Sequence, residues 1–283
     1  MPELPEVEVL VRHLAPLLRG KRVRAVHIGR PKAVRPTSPR RFKQTLLGAS
    51  FVGLTRRGKY LVFELQTRQR AERRLLLGHL GMTGRMYLLP ARAPRPQHTA
   101  VALGLGRQQF IFEDTRYFGR LSLDERTLGR LGPEPLAGEF TAGRLAAALA
   151  RSGQAIKIKL LDQSVVAGIG NIYASEALFR AGLAPSRPAR GLGPGQVFRL
   201  WQAIRAVLGE AIACGSTVPL NFAGTGLRDG LFYFGRAPGA VDYYTERLQV
   251  YDRAGSPCPR CGAVIRRLVQ AGRSTYYCPR CQA

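Results

Sequence analysis

Acidic residues are scarce in this chain. Asp and Glu number 18 against 44 Lys and Arg, a formal charge of +26, and no acidic stretch balances the excess. Residues 1–135 carry 26 basic and 10 acidic side chains and residues 136–283 carry 18 and 8, so no basic tail accounts for it. Such a field repels basic partners and concentrates polyanions, which makes a nucleic acid the leading partner class. Long apolar runs are missing too. None approaches the roughly 18 residues that a membrane span needs, and no signal-like pattern precedes a cleavage site; the expected location is cytoplasmic. A hydrophobic share of 45% excludes a disordered chain. The 283 residues are enough for one large or two ordinary domains.

Cysteine is almost absent before residue 258, where Cys214 stands alone in an apolar stretch and reads as a small buried side chain. The other four form Cys258-Pro-Arg-Cys261 and Cys278-Pro-Arg-Cys281, a C-x2-C, x16, C-x2-C spacing. Each pair makes a tight knuckle, and the stretch between is long enough for a hairpin that returns one knuckle to the other around a tetrahedral ion. The pattern points to one structural Zn2+; two disulfides would require an oxidising compartment. Four sulfurs leave no open position for a catalytic water, so such a zinc holds shape.

The apolar stripe of Val7, Leu10, Val11, Leu14, Leu17 and Leu18 predicts a helix over 5–18, with Pro16 bending its last turn. Strand-length runs follow at 24–28, 50–56, 60–65, 74–79, 85–89, 99–103, 109–113 and 119–123, a pattern that suggests a sandwich or barrel. Residues 131–139 read as a linker. Helices are expected at 141–150, 155–166, 172–181 and 193–214, and the glycine-rich stretch 215–245 as a long loop.

Gly168-Ile-Gly170-Asn171 joins two of those helices. It lacks the preceding strand and third glycine of a dinucleotide site. It reads either as a phosphate-binding helix start or as a simple turn. At the other end of the chain, removal of Met1 would leave Pro2 with a free secondary amine beside Glu3 and Glu6. An α-amino group titrates near about 8 and is partly a neutral nucleophile at neutral pH. On an aldehyde carbon, a secondary amine gives a cationic iminium, a strong electron sink. The alternative is that the prolines and glutamates merely start a helix.

Seven blocks, in order, resemble the formamidopyrimidine-DNA glycosylase family: Pro2-Glu-Leu-Pro-Glu-Val-Glu8, Arg57-Gly-Lys59-Tyr60, His79-Leu-Gly-Met82-Thr-Gly84, Asp114-Thr-Arg116-Tyr-Phe118-Gly119, Leu131-Gly-Pro-Glu-Pro135, Ala167-Gly-Ile-Gly-Asn-Ile-Tyr-Ala-Ser-Glu176, and the two cysteine knuckles. The resemblance implies an α+β chain of two domains: an N-terminal β-sandwich with an N-terminal helix, and a C-terminal helical helix-two-turn-helix domain with a zinc-ribbon hairpin. The expected parts are a catalytic domain at 1–135, a helical DNA-binding domain with a lesion loop at 136–253, and a zinc finger at 254–283.

It further implies a monomeric base-excision-repair enzyme. Such an enzyme removes 8-oxoguanine and formamidopyrimidines from double-stranded DNA, then cuts the abasic strand by β,δ-elimination through a Schiff base on Pro2. In that reading Glu3 is general acid and base, Glu6 helps position it, Lys59 serves elimination and touches a phosphate, and Arg273 binds the backbone near the lesion. A flipped base leaves a void costing a few kcal/mol. Met82, Arg116 and Phe118 match the residues that fill it. His79, His98, Arg151, Lys157, Asn171 and Tyr251 fall on positions associated with DNA or its phosphates.

The chain also departs from the family. Thr115 and Tyr117 stand where the family commonly has Pro and Arg, removing one phosphate-directed charge that Lys159 could partly offset. Residues 215–244, with Phe232, Tyr233 and Phe234 as possible stacking residues, diverge from the usual lesion-capping segment. Two alternatives stay open at this point: a related glycosylase for oxidised pyrimidines, disfavoured by Leu4-Pro5-Glu6, and a noncatalytic DNA-binding module.

Overall fold

The computed structural model describes residues 2–67, 73–214 and 248–282. The side chain of Cys214 and the expected loop at 215–245, with Phe232, Tyr233 and Phe234, lie outside the described residues. The chain forms two compact units. One contains Pro2 and Glu6–Gly129, the other Glu3–Pro5 and the described residues from Arg130 onward.

In the first unit every expected strand forms: β1 (Ala25–Ile28), β2 (Ser50–Arg57), β3 (Tyr60–Gln66), β4 (Arg73–His79), β5 (Gly84–Pro90), β6 (Thr99–Gly104), β7 (Gln108–Asp114) and β8 (Arg120–Ser122). They make two antiparallel four-stranded sheets, ordered β2-β3-β4-β8 and β1-β6-β7-β5. Phe51 and Phe63 of one sheet and Phe110 of the other meet edge to face, with centroids 5.8 and 5.7 Å apart, inside a core that Val7, Leu10, Val11, Leu14 and Leu18 of α1 (Leu4–Leu18) complete. Burying each such ring stabilises the sandwich by about 1.5–3 kcal/mol. Helix α2 (Pro39–Leu46) is not among the elements that the sequence pattern predicts. Ser38 caps it by accepting the Arg41 N–H, Pro39 opens it, and Phe42 and Leu46 are its buried residues.

The second unit holds α3 (Ala142–Leu149), α4 (Ile156–Leu161), α5 (Asn171–Ala181), α6 (Pro194–Cys214) and a hairpin of β9 (Arg266–Gln270) and β10 (Arg273–Tyr277). Helix α4 is shorter than its periodicity predicts. Asp162 stops it: the carboxylate accepts from Ser164 N–H, Ser164 Oγ and Lys159 Nζ, a local set of bonds that competes with another helical turn. The expected linker is pinned in place. Arg205 of α6 donates to the carbonyls of Pro135, Leu136 and Ala137, and Trp201 Nε1 donates to Phe140 O at 2.7 Å.

Candidate functional site

The start of α5 is the chemical centre of the second unit. The loop before it is ordered by Gln163, whose Oε1 accepts the Gly168 N–H and whose amide donates to Leu161 O and Ile169 O. Gly168 has φ +88, and a Cβ there would lie 2.7 Å from Leu4, so both backbone and space demand glycine. The chain then presents three N–H groups to one carboxylate. Glu3, 1% exposed, accepts from Gly170 (2.8 Å), Ile172 (2.8 Å) and Tyr173 (3.2 Å). These are orphan donors of a helix N-terminus, where the macrodipole also favours negative charge. The phosphate reading of Gly168-Ile-Gly170-Asn171 is therefore corrected: the anion held there is the chain's own Glu3.

Asn171 faces a second network. Lys157, with no exposed surface, donates to Asn171 Oδ1 (2.6 Å), Thr275 Oγ1 (2.7 Å) and Ser274 O (3.0 Å). Those acceptors use all three ammonium donors, so the direct phosphate contact expected of Lys157 is closed in this conformation. Burial pulls its pKa down to about 8, with Glu3 opposing the fall and Arg273 adding to it. Asn171 also donates to Ser274 O at 3.0 Å and hydrogen-bonds the Tyr251 hydroxyl. Tyr251 rests on Tyr276 with ring centroids 5.1 Å apart, and burial raises its pKa. The carboxylate of Glu176 accepts the backbone N–H groups of Gln249, Val250 and Tyr251. Arg273 is exposed at the hairpin tip, just after Ala271 (φ +47) and Gly272 (φ +72), the positive pair that a two-residue I′ turn requires. The structure thus groups Glu3, Lys157, Asn171 and Tyr251 with strand β10, at the residues that follow the hairpin tip. Arg151 is exposed just beyond α3 and takes no part in these bonds. Lys159 is not the spare charge that the sequence offers, because Asp162 pairs with it at 2.9 Å.

In the first unit Lys59, Tyr60 and His79 lie together at one end of the sheet β2-β3-β4-β8, whereas His98 precedes β6 of the other sheet. Lys59, 8% exposed, sits in the β2–β3 turn. Tyr60 pairs with His79 in register, and His79 with Arg120. The His79 ring lies 4.9 Å from Tyr60 and its Nδ1 accepts the Gly81 N–H at 3.1 Å, which leaves the ring proton on Nε2. Burial, with Lys59 and Arg120 nearby, lowers its pKa to about 4. Pro2 and Glu6 are both buried.

Met82, Arg116 and Phe118 are exposed. Their two loops share one organiser that the sequence reading did not single out. Asp114, 1% exposed, accepts from Thr83 Oγ1 (2.6 Å), Arg116 N–H (3.1 Å) and Gly119 N–H (2.7 Å). No local pattern marks Asp114 in the sequence, because Thr83, Arg116 and Gly119 come together around it only in the folded loops. The Arg116 guanidinium lies 5.2 Å from the centre of the Phe118 ring.

The sulfurs of Cys258, Cys261, Cys278 and Cys281 lie within 4.8 Å of one another, with Cys258–Cys281 at 3.9 Å and Cys261–Cys278 at 3.5 Å. Zn–S bonds of about 2.3 Å in a tetrahedron would set sulfurs about 3.8 Å apart. The donor set fits one structural zinc. Hydrogen bonding from Cys261, then burial and the other two sulfurs, pushes the Cys281 thiol up to about 12, a proton affinity that a bound dication would reverse.

Residues 1–121 match the formamidopyrimidine-DNA glycosylase N-terminal domain, residues 131–220 the H2TH domain of the same proteins, and residues 255–283 the zinc finger found in FPG and IleRS. The formamidopyrimidine-DNA glycosylase of Desulfitobacterium hafniense is 43% identical over 290 residues, covering all of both chains. The crystal structure of the MutM (FPG) protein from Thermus thermophilus is similar at 40% identity and a TM-score of 0.81, covering 99% of this chain and 98% of that one. The Lactococcus lactis Fpg in complex with DNA containing an abasic site is similar at 33% identity and a TM-score of 0.85, covering 99% of each chain. Among the described residues no helix is long and apolar enough to cross a membrane.

Proposed function

Because the chain belongs to the formamidopyrimidine-DNA glycosylase family, we propose that it excises oxidised purines from duplex DNA and then cleaves the abasic strand through a covalent link to Pro2. The observation that carries this reading is the buried Glu3 carboxylate, fixed by three N–H donors and joined directly to Pro2.

After removal of Met1, the Pro2 nitrogen bonds to C1′ as the bond from C1′ to the base breaks and the base takes a proton from solvent. Glu3 carries the proton of the Pro2 nitrogen to O4′, which opens the sugar and leaves an iminium. Loss of the 2′ proton expels the 3′ phosphate, and loss of the 4′ proton expels the 5′ phosphate. Held donors around Glu3 spare the reorganisation that free water would need at each transfer. Glu6 supports this end of α1, Lys59 serves the eliminations, and Arg273 binds the strand from the hairpin tip.

Met82, Arg116 and Phe118 fill the void left by the flipped nucleotide, with Arg116 reading the orphaned base. His79 offers Nε2–H to a phosphate. Tyr251, Asn171, His98 and Arg151 line the DNA path, and Lys157 acts on it through Asn171. Zinc supplies no chemistry; Cys258, Cys261, Cys278 and Cys281 hold the hairpin in shape.

Borohydride added to protein and a duplex with one 8-oxoguanine opposite cytosine tests the reading. A covalent band whose adduct maps to the Pro2 peptide supports it. A band only with a preformed abasic site overturns the purine assignment, and none with either duplex overturns the enzyme.

A further inference from the structure

Tyr117 is half-buried between the exposed Arg116 and Phe118 and is tied down by other segments of the chain. Its backbone is left-handed (φ +57), a conformation that costs a residue with a side chain and persists only where neighbours enforce it. The neighbours come from two other segments. Arg30, just ahead of a short 3-10 turn, donates to the Tyr117 hydroxyl at 2.8 Å and lays its guanidinium over the ring at 4.2 Å. His98, just ahead of β6, places Nδ1 2.8 Å from the same hydroxyl. Arg30 and His98 thus meet the same oxygen from two sides, the donor of the His98 bond being set by the imidazole tautomer. Arg120 adds a bond to the Tyr117 carbonyl at 3.2 Å. On either side in sequence, Arg116 and Phe118 are exposed and lie against one another.

We infer that Tyr117 is the positioning residue of this loop: clamped between Arg30 and His98, it holds Arg116 and Phe118 outward in a fixed stance, as a preorganised reader of the orphaned base. The inference rests on the proposed role of Arg116. A loop already in its binding stance loses less freedom when the duplex arrives, and a displaced reading group forfeits discrimination before it forfeits binding. His98, besides its place on the DNA path, then serves Tyr117 through Nδ1.

The test is the ratio of single-turnover excision rates for 8-oxoguanine opposite cytosine and opposite adenine. It is measured for the parent chain, Tyr117→Phe, Arg116→Ala and the double variant. Tyr117→Phe keeps the ring over Arg30 and removes both hydroxyl bonds. It should reduce the ratio roughly tenfold, the effect of about one well-made hydrogen bond. The same change in the Arg116→Ala background should have no further effect. Tyr117→Gly, which relaxes the backbone, should lose the ratio as well while melting no lower than Tyr117→Phe. An unchanged ratio in Tyr117→Phe beside a reduced one in Arg116→Ala overturns the positioning role and leaves the reading of Arg116 standing. Equal losses with and without Arg116 also overturn it, as does a Tyr117→Gly chain that keeps the parent ratio. An unchanged ratio in Arg116→Ala overturns the reading of Arg116 and this inference with it.

Discussion

The carboxyl carbon of Glu3 occupies the space that a side chain on Gly170 would take: a Cβ there would fall 2.4 Å from it. Gly170 has φ −132, which alanine adopts freely, so glycine is present for close approach and not for backbone freedom. Gly170→Ala should therefore displace the carboxylate from its three donors. A misplacement of about 1 Å at a reacting group can cost on the order of 10²-fold, and that is the expected loss in borohydride trapping on the 8-oxoguanine duplex. Trapping within about twofold of the parent would mean that the cradle is not what orients Glu3.

Lys157 couples the start of α5 to the zinc hairpin, and its removal should be felt as stability. Lys157→Met strips a donor from Asn171 Oδ1, Thr275 Oγ1 and Ser274 O; rearrangement of the two side chains leaves an expected loss of about 2–4 kcal/mol. The pH dependence has a definite sign. The folded pKa is about 8 against an ordinary 10.5, so between those values the unfolded chain binds more protons and stability rises with pH. This contribution is present above about 10.5 and lost as pH falls through about 8. Urea unfolding across that window should show a rising slope in the parent and a flatter one in Lys157→Met.

What was legible in the sequence and what was not divides along the range of the interactions. Strands such as β3 and β4 could be read because each is a strand-length apolar run between turn signals, and Leu61, Phe63, Leu65 and Leu76 carry those runs into the core. The knuckles could be read because metal geometry fixes the spacing of Cys258, Cys261, Cys278 and Cys281. The end of α4 could not. Apolar periodicity runs on past Leu161, and only the Asp162 side chain, bonding its own neighbours, stops the helix. Helix α2 was hidden because Phe42 and Leu46 alone carry its buried face. The glycine loop before α5 was legible as an anion site, yet its anion is 167 residues away in sequence at Glu3. The part played by Asp114 was equally out of reach, since Thr83, Arg116 and Gly119 meet only once the two loops are folded against each other.

His79 should remain neutral throughout the working range of the enzyme. Its folded pKa of about 4 lies below the ordinary 6.5, chiefly through burial. Between those values the unfolded chain binds more protons, so the contribution of His79 to stability is complete above about 6.5 and is lost as pH falls through about 4. Imidazole nitrogen shifts at pH 6 should report an unprotonated Nδ1, bonded to Gly81 N–H, and a protonated Nε2. His79→Gln should flatten the acid side of the stability curve. A ring that titrates near 6.5 would contradict the buried geometry.

Metal removal should reach well beyond the hairpin that holds it. Without a dication the Cys281 thiol, pushed up to about 12 by its sulfur neighbours, keeps its proton, and the four ligands no longer tie the two knuckles beside β9 and β10 to one centre. Ser274 and Thr275 are on β10 and accept from Lys157, so loosening the strand withdraws two of the three acceptors of a buried ammonium. Asn171 loses Ser274 O in the same event. Metal analysis should give about one zinc per chain, the stoichiometry of a closed four-sulfur site. Chelation should lower Tm and weaken binding to an abasic-site duplex together, and both should return when Zn2+ is restored. Cys278→Ser should reproduce the loss without recovery, because a serine hydroxyl is a poor zinc ligand. If chelation released the zinc while Tm and duplex affinity stayed at their starting values, the hairpin would be held by its packing against α5 alone, and the route from zinc to Lys157 would be wrong.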